Sequence, residues 1–272
     1  MSSIQQMMIG SSGGGTTLMS ALTTAALTTN LKLCLDAGDS ASYDPGVQTD
    51  KWLDRSGGGY DFYRGSGTGS DAADPTFNGS GGVVNSYWSF DGGDYFTYDT
   101  TNETWMQTLH KNGAVFSAVW FYYKGATNNA TIIGTNNTLN TGIELSTGGS
   151  IVQMVVLNAG ALGVLVQSDA AITTNGWHMV GVSVTENGGA SGAFFYVDGG
   201  YAQVSGVDTW NPNYTSPSAG NAGNTMTLCS LPATNFYPSA NKLSCLAVWQ
   251  GTALTKANMD TIWAAMRGKF GI

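Results

Sequence analysis

Side chains able to do chemistry are few in this sequence. Its glutamates are Glu103, Glu144 and Glu186, about forty residues apart, and its histidines are His110 and His178. Retaining glycoside hydrolysis needs two carboxyls about 5–5.5 Å apart, which a strand supplies by carrying them at alternate positions. No E-x-D-x-E run occurs, so catalysis is not expected. His178 alternates within an apolar stretch beside Trp177, a structural position, and no Ser–His–Asp set surrounds a nucleophile elbow. Ligand binding has a better candidate. Trp210-Asn211-Pro212-Asn213-Tyr214 lies in a polar loop and offers aromatic faces for sugar stacking and amides for hydroxyls. Trp210, Asn213 and Tyr214 are therefore the expected glycan contacts, the alternative being that this loop covers a sheet edge or meets another subunit.

The totals narrow the classes. Charged residues make up 10 % of the 272, against about 25 % in an average globular domain, and there are 38 glycines. That balance suits many short strands joined by tight turns. A net charge of −8, with ten scattered Lys and Arg, argues against nucleic acid, whose binding rests on clustered cations. No apolar run approaches the ~20 residues that span a bilayer, so no membrane is expected as partner. Cys34, Cys229 and Cys245 are odd in number and lack CxxC spacing, which favours three buried free thiols; a Cys229–Cys245 bridge is the alternative.

The elements that would position any site are strands. Gly176–Gly200 reads as a hairpin: Val180, Val182 and Val184 share a face, Glu186-Asn187-Gly188-Gly189 turns, and Phe194-Phe195-Tyr196-Val197 returns. Leu31–Leu35, Ser86–Phe90, the long apolar run Ala114–Tyr123, Thr131–Gly134, Gly142–Leu145, Ile151–Leu157, Gly163–Gln167, Met226–Cys229 and Lys242–Gln250 read as further strands. Their spacing predicts an all-β sandwich over residues 32–272. One helix closes it, capped by Thr255, stopped by Gly268 and docked through Met259, Ile262, Trp263 and Met266. Residues 1–31 contain no Asp, Glu, Lys or Arg and have no signal-peptide pattern. They are expected to be an extended arm, with Ile4, Met7, Met8, Ile9, Leu18 and Leu22 anchoring it in a companion subunit.

Four segments, in order, resemble the laminin G-like, concanavalin A-like jelly rolls of bacterial and phage proteins. They are Leu33–Ser40 with Trp52–Gly57, Phe90–Tyr95, Gly176–Val180 with Tyr196–Gly199, and Lys242–Gln250 with the terminal helix. Ser2–Gly10 resembles the opening of phage virion proteins. The resemblance implies a two-sheet antiparallel jelly roll on the virion surface, a head decoration or tail-fibre protein. Its implied partners are other virion proteins, further copies of itself, for instance in a trimer, and a host surface glycan. Related folds often carry Ca2+, for which Asp36, Asp39, Asp91 and Asp94, at strand ends, would be the ligands; no other cofactor is implied. Asp-Gly pairs are also ordinary turn formers.

Overall fold

A computed structural model of the chain describes residues 15–98, 101–111, 115–125, 130–137, 139–169, 172, 175–184, 193–202, 220–231 and 237–272. The fold is a two-sheet antiparallel β-sandwich of the jelly-roll type, with a C-terminal helix. The first sheet holds β1 (Leu31–Asp36), β4 (Thr76–Asn78), β5 (Tyr87–Ser89), β7 (Phe116–Lys124), β12 (Gly176–Val184), β13 (Ala193–Val197), β14 (Gly200–Ala202) and β16 (Lys242–Gln250). Its order is β14-β13-β12-β7-β16-β5-β4, and β1 also pairs with β16. The second holds β2 (Lys51–Trp52), β3 (Phe62–Arg64), β6 (Phe96–Thr97), β8 (Ala130–Gly134), β9 (Gly142–Gly148), β10 (Ile151–Asn158), β11 (Ala161–Gln167) and β15 (Thr227–Leu228), ordered β11-β10-β9-β8-β15-β6-β3-β2.

Strand alternation explains the layers. Along β7, Phe116, Ala118, Trp120 and Tyr122 enter the core between the sheets, while Val119 and Phe121 enter a second apolar cluster on the first sheet's outer face. A strand covered on both sides reads as one continuous apolar run, as this one does. Val180, Val182 and Val184 of β12 face the inter-sheet core and pair with Val197, Phe195 and Ala193 of β13. The two strands of the expected hairpin are thus in register; its turn lies outside the described residues.

Two helices cover the outer cluster: α1 (Leu18–Thr24) and α3 (Lys256–Phe270). A short α2 (Thr104–Thr108) packs at the core through Trp105 and Met106. Thr255 caps α3 in a capping box with Asn258, and Met259, Ile262 and Met266 are buried while Trp263 is half-buried. The stop differs from the expected one. Gly268 is helical, and the helix ends at Gly271, whose φ of +70° is the left-handed conformation that glycine adopts without strain.

Residues 15–31 also differ from a free arm. Thr17 caps α1, and Leu18 and Leu22 are fully buried against the chain's own sheet and α3. They are spent inside this domain and are not available to a companion subunit. Ile4, Met7, Met8 and Ile9 lie outside the described residues.

A buried ion pair ties this layer together. Lys269 Nζ donates to Asp36 Oδ1 at 2.6 Å, their side chains being 3 % and 0 % exposed. Asp36 also accepts from the Leu18 N–H at 2.8 Å and from the Gly38 N–H at 2.8 Å. Burial works against the Lys269 ammonium, but Cys245 (Nζ–Sγ 3.3 Å) and Asp36 outweigh it and hold its pKa above the ordinary value. The three cysteines are free and buried. Cys229 belongs to the core between the sheets and Cys245 to the cluster on the opposite face of the first sheet, so no bridge joins them. Burial pushes the Cys245 thiol up to about 12 and raises Cys34 and Cys229 well above the usual range.

Lys269→Met leaves a buried carboxylate unpaired, and chemical denaturation should show a loss of about 3–5 kcal/mol; a loss under about 1 kcal/mol, typical of a surface pair, would contradict the clamp. Ellman's reagent should find no reactive thiol in the native protein and all three after denaturation. A thiol titrating in the native state would contradict the burial.

Candidate functional site

Where α3 ends, the first sheet's outer face is left uncovered, and an aromatic patch occupies it. Tyr122, His178 and Leu243 are buried, Tyr122 and Leu243 within the inter-sheet core, so their neighbours Tyr123, Trp177 and Lys242 project outward. Register lines the three up across the sheet: Trp177 of β12 lies opposite Tyr123 of β7, which lies opposite Lys242 of β16. Tyr87 joins them from β5, on the outward side of the buried Trp88.

The rings are in contact. Trp177 meets Tyr123 at 5.9 Å (80°) and Tyr87 at 5.8 Å (67°), both edge to face. Phe270, the last residue of α3, lies 4.8 Å from Trp177 and stacks on Phe121 at 5.0 Å and 18°. Lys242 Nζ stands 4.6 Å from the Tyr87 ring centroid and 4.7 Å from that of Tyr123. All five of Tyr87, Tyr123, Trp177, Lys242 and Phe270 are half-buried. Among the described residues, the Lys242 ammonium, the Trp177 indole N–H and the two phenol hydroxyls make no hydrogen bond to protein. Flat apolar faces beside unused donors are what a pyranose ring needs: C–H groups for the rings, hydroxyls for the donors. These five residues include no carboxylate of the kind a retaining glycosidase pairs across the scissile bond.

A second concavity lies on the outer face of the other sheet. It encloses about 540 Å³ and is lined by Tyr63, Ser66, Gly67, Thr68, Thr97, Tyr98 and Thr225. Phe62 and Phe96 are buried in the core, which turns Tyr63 and its register partner Thr97 outward.

The expected chemistry resolves residue by residue. Trp210, Asn213 and Tyr214 lie outside the described residues, as does Glu186. Glu103 accepts from the Tyr98 hydroxyl at 3.0 Å, and Glu144, on β9, accepts from Thr131 Oγ1 at 3.2 Å. His178 Nδ1 is 2.6 Å from Asp198 Oδ2, and Asp198 Oδ1 accepts from the Met179 N–H, a lock on the turn after β13. His110 is fully buried, and burial brings its pKa down to about 4, so at neutral pH it is uncharged.

The four aspartates do not form the cation site that the resemblance implies. Asp36 is paired with Lys269, and Asp39 Oδ2 takes Arg55 Nε at 3.2 Å. Asp91 Oδ1 accepts from Gly93 N–H, and Asp94 Oδ2 from Asp91 N–H. Burial, with Asp91 nearby, raises the Asp94 pKa to about 6. Among the described residues no three His, Cys, Asp or Glu side chains come together as a metal site. The aromatic patch, by contrast, is not announced by any local motif in the sequence. Its one signal was Trp177 standing out of phase with the valines of its own strand; the other members need register.

No protein-family model matches the sequence. No curated protein matches it either. Among solved structures, the fold is similar to receptor-binding domains of botulinum neurotoxins. The domain of type G aligns with a TM-score of 0.53 at 13 % identity, covering 86 % of this chain and 51 % of that one. The binding domain of type DC in complex with SialylT gives 0.58 at 12 %, covering 88 % and 52 %. Type C, which is dependent upon interaction with two ganglioside molecules for entering cells, gives 0.56 at 15 %, covering 89 % and 53 %. The chain spans about half the length of these domains, and at such identities the likeness concerns the β-sandwich fold.

Proposed function

We propose that this chain is a non-catalytic binding module that recognises a saccharide through the Trp177–Tyr123–Lys242–Tyr87 patch. The observation that carries the reading is the patch itself: three touching half-exposed rings with an ammonium, an indole N–H and two hydroxyls that the protein does not use. Half-exposed donors of this kind bond to water, which the hydroxyls of a docked sugar can replace. The similarity to binding domains described with SialylT and with gangliosides agrees with a sandwich that serves recognition, although fold alone does not carry function. The 540 Å³ concavity on the other sheet is a second surface for the same chemistry.

Display on a bacteriophage particle is the second reading. It rests on the resemblance of Ser2–Gly10 to virion proteins and on the absence of charge up to Leu31. With Leu18 and Leu22 used internally, attachment to another virion protein would fall to residues 1–14, with Ile4, Met7, Met8 and Ile9 as the apolar contacts.

A glycan array followed by calorimetry on the best-bound oligosaccharide tests the proposal. Trp177→Ala should weaken binding about tenfold, equivalent to about 1.4 kcal/mol, and Lys242→Met should weaken it by a smaller factor. Lys242→Met should melt close to the wild type, whereas Trp177→Ala, which also loses its contacts with Phe270, Tyr123 and Tyr87, should melt lower but remain folded at the temperature of the binding assay. Undiminished affinity in Trp177→Ala would contradict the assignment.

A further inference from the structure

The Asp36–Lys269 pair has the geometry of two reactants as well as of a clamp. Lys269 Nζ lies 2.6 Å from Asp36 Oδ1, and the side chains are 3 % and 0 % exposed. The carboxyl carbon is at most one C–O bond further off, within about 4 Å of the nitrogen, against about 3–3.5 Å in a near-attack arrangement. Burial keeps bulk water from the carboxyl, so the amine has no competitor there.

The remaining contacts fix both groups. Asp36 Oδ2 accepts from the Leu18 N–H at 2.8 Å, and Oδ1 accepts from the Gly38 N–H at 2.8 Å. Cys245 lies opposite Asp36 in register, and its Sγ is 3.3 Å from Nζ. Each carboxyl oxygen thus has a backbone donor, and the nitrogen has a thiol beside it.

We propose that Lys269 and Asp36 condense to an isopeptide bond, which ties α3 covalently to β1. The step needs no further reagent. One proton passes from Nζ to Oδ1 along their hydrogen bond, and removal from water favours the resulting amine and acid over two buried charges. The nitrogen lone pair then adds to Cγ, and the Leu18 N–H holds the negative charge that develops on Oδ2. A second Nζ proton moves to Oδ1, with the Cys245 thiol placed to relay it. The Cγ–Oδ1 bond breaks, and Oδ1 leaves as water. The third Nζ hydrogen stays as the amide N–H, and Oδ2 becomes the carbonyl oxygen. The product carries no charge, and it closes the chain across 233 positions, which restricts the unfolded state. It is independent of the saccharide reading.

Intact mass spectrometry of the full chain, denatured and reduced after incubation at neutral pH, tests the proposal. The chain should be lighter than its sequence by one water, about 18 Da. Trypsin should release residues 33–51 joined to residues 268–272, because the modified Lys269 is no longer cleaved. Lys269→Arg keeps a cation but lacks the amine, so it should show the full sequence mass and melt below the wild type. Cys245→Ala should reach the linked mass more slowly. A wild-type chain that keeps its full mass after prolonged incubation would overturn the proposal. So would an equal loss of mass in Lys269→Arg, which would put the dehydration elsewhere, as at an aspartyl-glycine turn.

Discussion

The Asp36–Lys269 pair is the contact on which the outer layer depends. Asp36 ends β1, Lys269 sits in the last turn of α3, and the N-terminus of α1 donates to the same carboxylate. The first two elements of the chain and its last helix thus meet at one desolvated charge. Such a pair contributes little net free energy, because removing both charges from water offsets most of their attraction, but it tolerates few geometries. One consequence reaches the candidate site. With Lys269 fixed, Phe270 is set against Phe121 and Trp177, which places the indole over the uncovered end of the sheet.

Burying the first sheet on both faces also accounts for the composition. β7, β12 and β16 contribute to the inter-sheet core on one side and to the helix-covered cluster on the other, leaving few positions for charge. The helices do not cover the whole face. Where α3 stops, outward positions remain aromatic and become half-exposed, so the patch continues the buried layer to its rim. The neurotoxin domains share this sandwich fold at 12–15 % identity.

Much of the fold was legible because strand periodicity is local. The valines at 180, 182 and 184, the both-faces-buried run of β7 and the Thr255 cap each declare themselves within a few residues. Gly268 misled because a glycine inside a helix costs only about 1 kcal/mol, so docking of Met266 and the pairing of Lys269 carry the helix three residues further. Leu18 and Leu22 look like free apolar anchors in the sequence because nothing in their own segment shows that β1 and α3 offer them a surface. Asp36 looked like a turn residue or a metal ligand, and its partner lies 233 positions away. The patch is harder still to read, since its members come from four strands and a helix end and only register aligns them.

The central claim is that Trp177 is where a saccharide meets this protein. Indole N–H resonances in a two-dimensional NMR spectrum, assigned by single Trp→Phe replacements, report on each tryptophan separately during titration with a bound oligosaccharide. The Trp177 signal should shift in proportion to occupancy, while those of Trp52, Trp88 and Trp120, buried between the sheets, stay in place. A saccharide that binds and leaves the Trp177 resonance unmoved would contradict the account.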